Sequence, residues 1–217
     1  MLAFTALSWV SCATTLRVSD AMPQGFLDHT EELVPGASDQ SALVYRATDF
    51  DLTRYDKLYL ERVEVFTGEG SSELNEEDAR MVAIFLFDAM SKELSKEWTL
   101  VEGEDPSTLR VRVALTDAKR TPVLMDVVTT LQGALRIGVE ARAAAGAGYA
   151  FVGRAAAEME VLDGGTGRRL YAAVDERTGT KSLGPGFGEW SDVKAIARVW
   201  AKQLAAQLRV GRSKVDS

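Results

Sequence analysis

The chain has 217 residues, 46% of them hydrophobic and 26% charged, which is ordinary globular material with room for one sizeable core. Lysine and arginine number 25 against 32 acids, for a net charge of -7, and no basic run exceeds two residues, so nucleic acid is excluded as a partner because phosphate binding needs clustered positive charge. A single cysteine, Cys12, and a single histidine, His29, exclude an intrachain disulfide, a cysteine-built metal site and an HExxH zinc arrangement.

Residues 2–11, LAFTALSWVS, are uncharged and mostly apolar, and they close on Ser11 immediately before Cys12. That is too short to cross a bilayer, which takes about 20 apolar residues. An apolar run ending on a small residue reads as a secretory signal, and a cysteine at the cleavage point gives it the form of a bacterial lipoprotein signal. Residues 1–12 are therefore expected to be a signal peptide with a lipobox-like cysteine, and Cys12 the site of lipidation by a palmitate-type chain. Two features depart from the pattern: Trp9 stands where leucine is the norm, and the positively charged n-region is missing, which a start codon placed too late would explain. The competing reading is an apolar N-terminal strand or helix with an incidental buried cysteine.

Residues 13–48 are polar and irregular, broken by Pro23, Gly25, Pro35 and Gly36, and predict a tether with one anchored patch, GFLDHTEEL. His29 lies in that patch without a cysteine, serine elbow or second histidine near it, so it reads as a surface histidine. Residues 49–210 are expected to form a single α+β domain. Its first strand is Tyr55 to Phe66, where the apolar parity changes between Leu60 and Val63, the mark of a bulge or of burial on both faces. Gly68, Gly70, Ser71 and Ser72 make the next loop. Asn75 is a good N-cap, and Glu76, Glu77 and Asp78 sit where the helix dipole favours negative charge, so a helix is predicted to about Glu97. Its centre, Met81 to Phe87, is apolar all round. Val82, Phe85, Leu86 and Ala89 form one stripe, and Ile84 and Phe87 point away from it and need other cover, from the segment Ala134–Ala144 or from another protein.

A short strand at Thr99–Glu102 and a turn over residues 104–107 lead to Thr108–Lys119, where Leu109, Val111, Val113 and Leu115 alternate with Arg110, Arg112, Ala114 and Thr116. Thr121–Thr130 is β-branched and extended, and Ala134–Ala144 predicts a short helix of small residues. Phe151–Gly179 reads as a β-hairpin: Ala155, Ala157, Met159 and Val161 alternate with Glu158 and Glu160, Asp163 to Gly167 supply the turn, and Leu170, Ala172 and Val174 resume the alternation. The glycine-rich loop over residues 179–188 lacks the GxxxxGK[ST] spacing and is read as a turn rather than a phosphate cradle. Ser191 caps the last helix, with Trp190 as a staple, and Val193, Ile196, Ala197, Trp200, Leu204 and Leu208 make its buried stripe.

This order of elements predicts an α+β fold, a mixed, mostly antiparallel sheet with two long helices packed on one face. For function, the preferred reading is a non-enzymatic interaction or binding module, held at a membrane by Cys12 and facing another envelope protein. The alternatives are a carrier of a small apolar ligand, which needs a cavity beneath the sheet, and a hydrolase using Asp117, Asp163 or Asp175 with Arg177 as charge partner. No nucleophile, base and orienter, and no metal constellation, can be assembled from the sequence, and turn aspartates are usually structural, so neither a cofactor nor a catalytic residue is expected. Asp175 and Arg177 fall on the same side of the hairpin's second arm, about 6–7 Å apart by strand rise, and Asp175 is expected to be structural.

The same segments resemble a family of uncharacterised bacterial lipoproteins, the domain of unknown function 3313 family. The likeness lies in GFL at Gly25–Leu27, DLTRYDK at Asp51–Lys57, Leu115-Thr116-Asp117, Thr121-Pro122-Val123, Val152-Gly153, Glu158–Glu160, Asp163 with Thr166-Gly167, Val174-Asp175 with Arg177 and Gly179, and Trp190 with Asp192, and it covers about residues 24–209. It implies an α+β domain in the bacterial cell envelope, expected at the outer membrane facing the periplasm, and carries over no activity.

Overall fold

The computed structural model describes residues 15–66, 75–103, 105–119, 154–179 and 191–213. Alternation of apolar and polar residues produces the three long strands at the centre: β7 (Thr108–Lys119), β8 (Arg154–Asp163) and β9 (Arg169–Gly179), all antiparallel. Around them lie β1 (Thr15–Arg17), β2 (Val34–Pro35), β3 (Leu43–Arg46), β4 (Lys57–Leu60), β5 (Glu64–Val65) and β6 (Thr99–Val101). These described strands form one nine-stranded sheet in the order β2-β3-β9-β8-β7-β4-β6, with β1 added to β9 and β5 to β7. β4 runs parallel to β6 and β7, and β5 parallel to β7, so the sheet is mixed and mostly antiparallel. The expected α+β class holds.

The two described α-helices, α1 (Glu76–Leu94) and α2 (Ser191–Arg212), pack on the face that carries Leu109, Val111, Val113, Ala157, Met159, Val161 and Ala173. The Asn75 side chain accepts a hydrogen bond from the Asp78 amide at 2.9 Å and so caps α1. This helix stops at Leu94, short of Glu97, where the amides of Lys96 and Glu97 bond three residues back to the carbonyls of Glu93 and Leu94, and the buried Trp98 follows that tightened turn. The predicted α2 stripe, Val193, Ile196, Ala197, Trp200, Leu204 and Leu208, is buried throughout. Gly211 lets α2 close onto the chain before β4, since a Cβ there would meet Leu52 Cγ at 2.6 Å and Phe50 Cε1 at 2.8 Å. Phe87, expected to need separate cover, is half-buried against the main core, whereas Ile84 is 52% exposed.

The parity change between Leu60 and Val63 is a bulge. Leu60 is opposite Val111 and Glu64 opposite Ala114, so four steps along one strand face three along the other. Thr116 is a second extra residue, since Leu115 faces Ala157 while Asp117 faces Ala156.

The tether expected over residues 13–48 needs correction where it is described. From Thr15 onward this segment is part of the domain: β1 and β3 both pair with β9, and β2 with β3. Between them the chain crosses the sheet face opposite the helices, where Ala21, Phe26 and Leu27 join Ala42, Ala114, Ala172 and Val174 in a second core. Its own sequence has few apolar residues and no period, so nothing local announces the docking. The partner that satisfies its backbone is a side chain 131 positions away, Glu158, which accepts from the Leu27 amide. Residues 1–14, including Cys12, lie outside the described residues, as do the segments expected at 121–130 and 134–144, the loop over 180–188, Trp190 and the side chain of Ser191.

Candidate functional site

The acids singled out in the sequence are not brought together. Asp163 faces Leu109 and Asp117 faces Ala156, so the two lie eight residues apart along β7, about 25 Å by strand rise. Asp175 is opposite Ala157 on the helix-covered side. Among the described residues no group of three or more His, Cys, Asp or Glu side chains could hold a metal ion. His29 is exposed, 3.3 Å from Glu31.

Asp163 braces the hairpin. Its Oδ1 accepts from the amides of Gly165 (2.9 Å) and Thr166 (2.8 Å), and its Oδ2 accepts from the Tyr55 hydroxyl at 2.5 Å and pairs with Arg54. Burial works against the charged form, but the donors of Tyr55, Thr166 and Gly165 outweigh it and hold the carboxyl at about 2. Asp163 thus turns the chain and joins β8 to the segment before β4.

Asp175 is the most deeply placed acid of the three. Alternation along β9 aims Tyr171, Ala173, Asp175 and Arg177 at the helices, and Asp175 is fully buried there. Its Oδ1 accepts from the Ala42 amide at 2.9 Å, and its Oδ2 from Arg177 Nε and Trp200 Nε1, each at 2.8 Å. Burial pushes the carboxyl up, and the Arg177 charge with the three donors offsets only part of that rise. Arg177, itself buried, then donates from Nη1 to the Thr15 hydroxyl at 3.1 Å. One carboxylate therefore ties β9 to α2, to the start of β3 and, through Arg177, to β1. Arg17 continues the fastening, donating to the carbonyls of Ala37 (2.6 Å) and Gln40 (3.1 Å), and the Val18 amide donates to the Glu176 carbonyl at 2.8 Å.

A second fastening lies on the opposite face. Glu158 is fully buried and accepts from the amides of Gln24 and Leu27, the latter at 2.9 Å. Gly25 between them has φ 101°, in the region that favours glycine, which bends both amides toward one carboxylate. Glu160 accepts from Arg112 Nη1 at 2.6 Å and Arg169 Nε at 3.1 Å, and Arg169 reaches on to the Asp28 carbonyl at 2.6 Å. The Arg112 guanidinium lies 4.9 Å from the Phe26 ring centre. Sequence reasoning took Glu158 and Glu160 for a charged outer face. The available signal was the alternation of Arg110 and Arg112 on the neighbouring strand, which supplies cations to that face. Asp192 differs from these acids: its Oδ1 is buried without a partner among the described residues, and burial raises its carboxyl.

The described chemistry is that of attachment. The four carboxylates of Asp163, Asp175, Glu158 and Glu160 accept from protein donors on both oxygens, and each joins the N-terminal third of the chain or a turn to the sheet.

Over residues 22–204 the chain matches the family described as a protein of unknown function, DUF3313. No curated protein matches it. Among solved structures it is similar to a PelC dodecamer from Paraburkholderia phytofirmans, at 14% identity over 75% of this chain and 94% of that one, with a TM-score of 0.42. A point variant of the same PelC dodecamer has 11% identity, coverage of 75% and 93%, and a TM-score of 0.40. A DUF4136 family protein from Bacteroides thetaiotaomicron has 12% identity, coverage of 79% and 96%, and a TM-score of 0.39. Similarity at that level bears on neither chemistry nor partners.

Proposed function

The chain belongs to the DUF3313 family, and from that premise we propose that it is a lipid-anchored protein of the bacterial cell envelope, acylated at Cys12, that works as a non-enzymatic interaction module. Its expected place is the outer membrane, facing the periplasm, with another envelope protein as partner. The supporting observation is the position of the first described strand. The first described strand opens at Thr15, three residues after Cys12, so cleavage between Ser11 and Cys12 removes the apolar run and leaves every described element in place. Asp163 and Asp175, two of the carboxylates that a hydrolase would use, are engaged in holding the chain together, which favours a binding role over catalysis.

Membrane attachment then rests on the acyl chains, because no helix among the described residues is long and apolar enough to cross a bilayer. Cys12→Ala should move the protein from the membrane fraction to the soluble fraction and abolish labelling by a palmitate analogue. Unchanged membrane association in an unlabelled variant would sink the reading.

A further inference from the structure

Resting on acylation at Cys12, we propose that the end of the sheet marked by Thr15, Gly179 and Arg154, with the first turn of α2, is the end of the domain turned toward the lipid headgroups. A tether over residues 13–48 would have let the domain stand more than about 100 Å from its anchor. The described fold leaves only Ala13 and Thr14 between Cys12 and β1, and three Cα steps reach at most about 11 Å.

The attachment point is fixed within the domain. Thr15 faces Gly179 in the β1–β9 ladder, its hydroxyl accepts from Arg177, and Arg17 and Val18 are bonded to the 37–40 turn and to β9. Antiparallel pairing places Thr15 where β9 finishes, and Arg154, opposite Thr178, starts β8 at the same end. Arg154 is also opposite Lys119, the last residue of β7. α2 begins there too, since a Cβ on Gly179 would lie 3.0 Å from the Asp192 Cβ. Gly103 and the Asp163 turn stand at the other end, separated from this one by the 12 residues of β7, about 36 Å.

A short leash on a locked strand keeps Thr15 within about 11 Å of the acylated cysteine, which limits how far this end of the domain can turn away from the bilayer. Acyl chains within the bilayer hold this end at the headgroups and turn the far end, around Gly103 and the hairpin turn, toward other envelope components. Charge is not the cause: α1 also begins on this side, Val82 clustering with Leu115 and Val193, and its first turn carries Glu76, Glu77 and Asp78. Apposition caused by the leash should therefore persist on zwitterionic lipid and be no stronger on anionic lipid. Arg177, which positions Thr15, is the residue through which the core sets the direction of the leash.

The test uses the acylated full-length protein in vesicles of phosphatidylethanolamine with and without phosphatidylglycerol, containing headgroup-spin-labelled lipid. A fluorophore is placed at Lys194→Cys, exposed in the first turns of α2, or at Gly103→Cys, where added atoms meet nothing within 4 Å. Thioether and amide acylation block Cys12 itself, so each variant has one reactive thiol. Quenching at position 194 several-fold greater than at 103, in both lipid mixtures, is expected. Inserting 20 glycine and serine residues between Thr14 and Thr15 should bring the two values together without reducing flotation. Equal quenching at the two positions in a floating, acylated protein overturns the apposition while leaving the anchor intact, and quenching at 194 that survives the insertion refutes the leash as its cause. A protein that neither floats nor carries acyl chains overturns the anchor and the apposition together.

Discussion

Asp175→Asn is the sharpest probe of the buried fastening. An asparagine keeps the size of the side chain but has one acceptor oxygen and one amino group, and the site presents three donors: the Ala42 amide, Arg177 Nε and Trp200 Nε1. In either amide orientation an N–H faces an N–H, and the Arg177 guanidinium, 8% exposed, loses its counterion. Removing one partner of a buried, hydrogen-bonded pair costs about 3–5 kcal/mol, and relief of the burial penalty that pushes Asp175 up offsets part of it, leaving about 3 kcal/mol. For a domain of this size that is a fall of about 6–12 °C in Tm. Circular-dichroism melts of the single variant, of Arg177→Met and of the double variant measure it. The two single losses should exceed the loss in the double variant by more than about 1 kcal/mol, since the second change removes the stranded charge. A drop below about 2 °C for Asp175→Asn, or strict additivity, would refute the reasoning.

Asp163, held at about 2 against an ordinary 3.8, has its folded-state pKa lowered, so its stabilisation is present above about pH 4 and is lost as pH falls toward 2. The difference of nearly two units is worth about 2 kcal/mol, and the gap in urea midpoint between the parent and Asp163→Asn should close between pH 5 and pH 2. Glu158→Ala strips the Gln24 and Leu27 amides of their acceptor, and should raise hydrogen exchange and protease cleavage over residues 21–33 before the rest of the domain opens, at a cost of about 2 kcal/mol to the docked segment. Gly211→Ala gains up to about 1 kcal/mol of helix propensity yet drives a methyl into Leu52 and Phe50, both fully buried, so a net loss of about 1–2 kcal/mol is expected in chemical denaturation.

Elements whose pattern is local were legible from residues alone. The alternation in Thr108–Leu115 and Ala155–Val161 set the central strands and named the face that would meet the helices, because successive side chains of a strand point to opposite sides. Asn75 with three acids after it marked the start of α1, and the spacing of Val193 to Leu208 marked the buried side of α2. The bulge at residues 61–63 announced itself as a change of parity. These readings needed only neighbours within a few positions.

What stayed hidden depends on partners far along the chain. Residues 15–48 looked like a tether because their few apolar side chains follow no period, yet Phe26 and Leu27 pack on Ala114, Ala172 and Val174, and their backbone is held by Glu158. Glu158 and Glu160 carried the charge pattern of a solvated face and are buried, since Arg112, Arg169 and two amides neutralise or satisfy them only after the sheet and the covering segment have met. The sequence by itself determined the central strands, the two helices and the strand face that they cover, through periodicities that act over one or two turns of chain. Only the tertiary structure decided that Asp175 would bind Ala42, Arg177 and Trp200 and that Thr15 would sit beside Gly179, because a buried carboxylate takes whichever donors the packed fold brings within about 3 Å, and sequence distance imposes no preference among them.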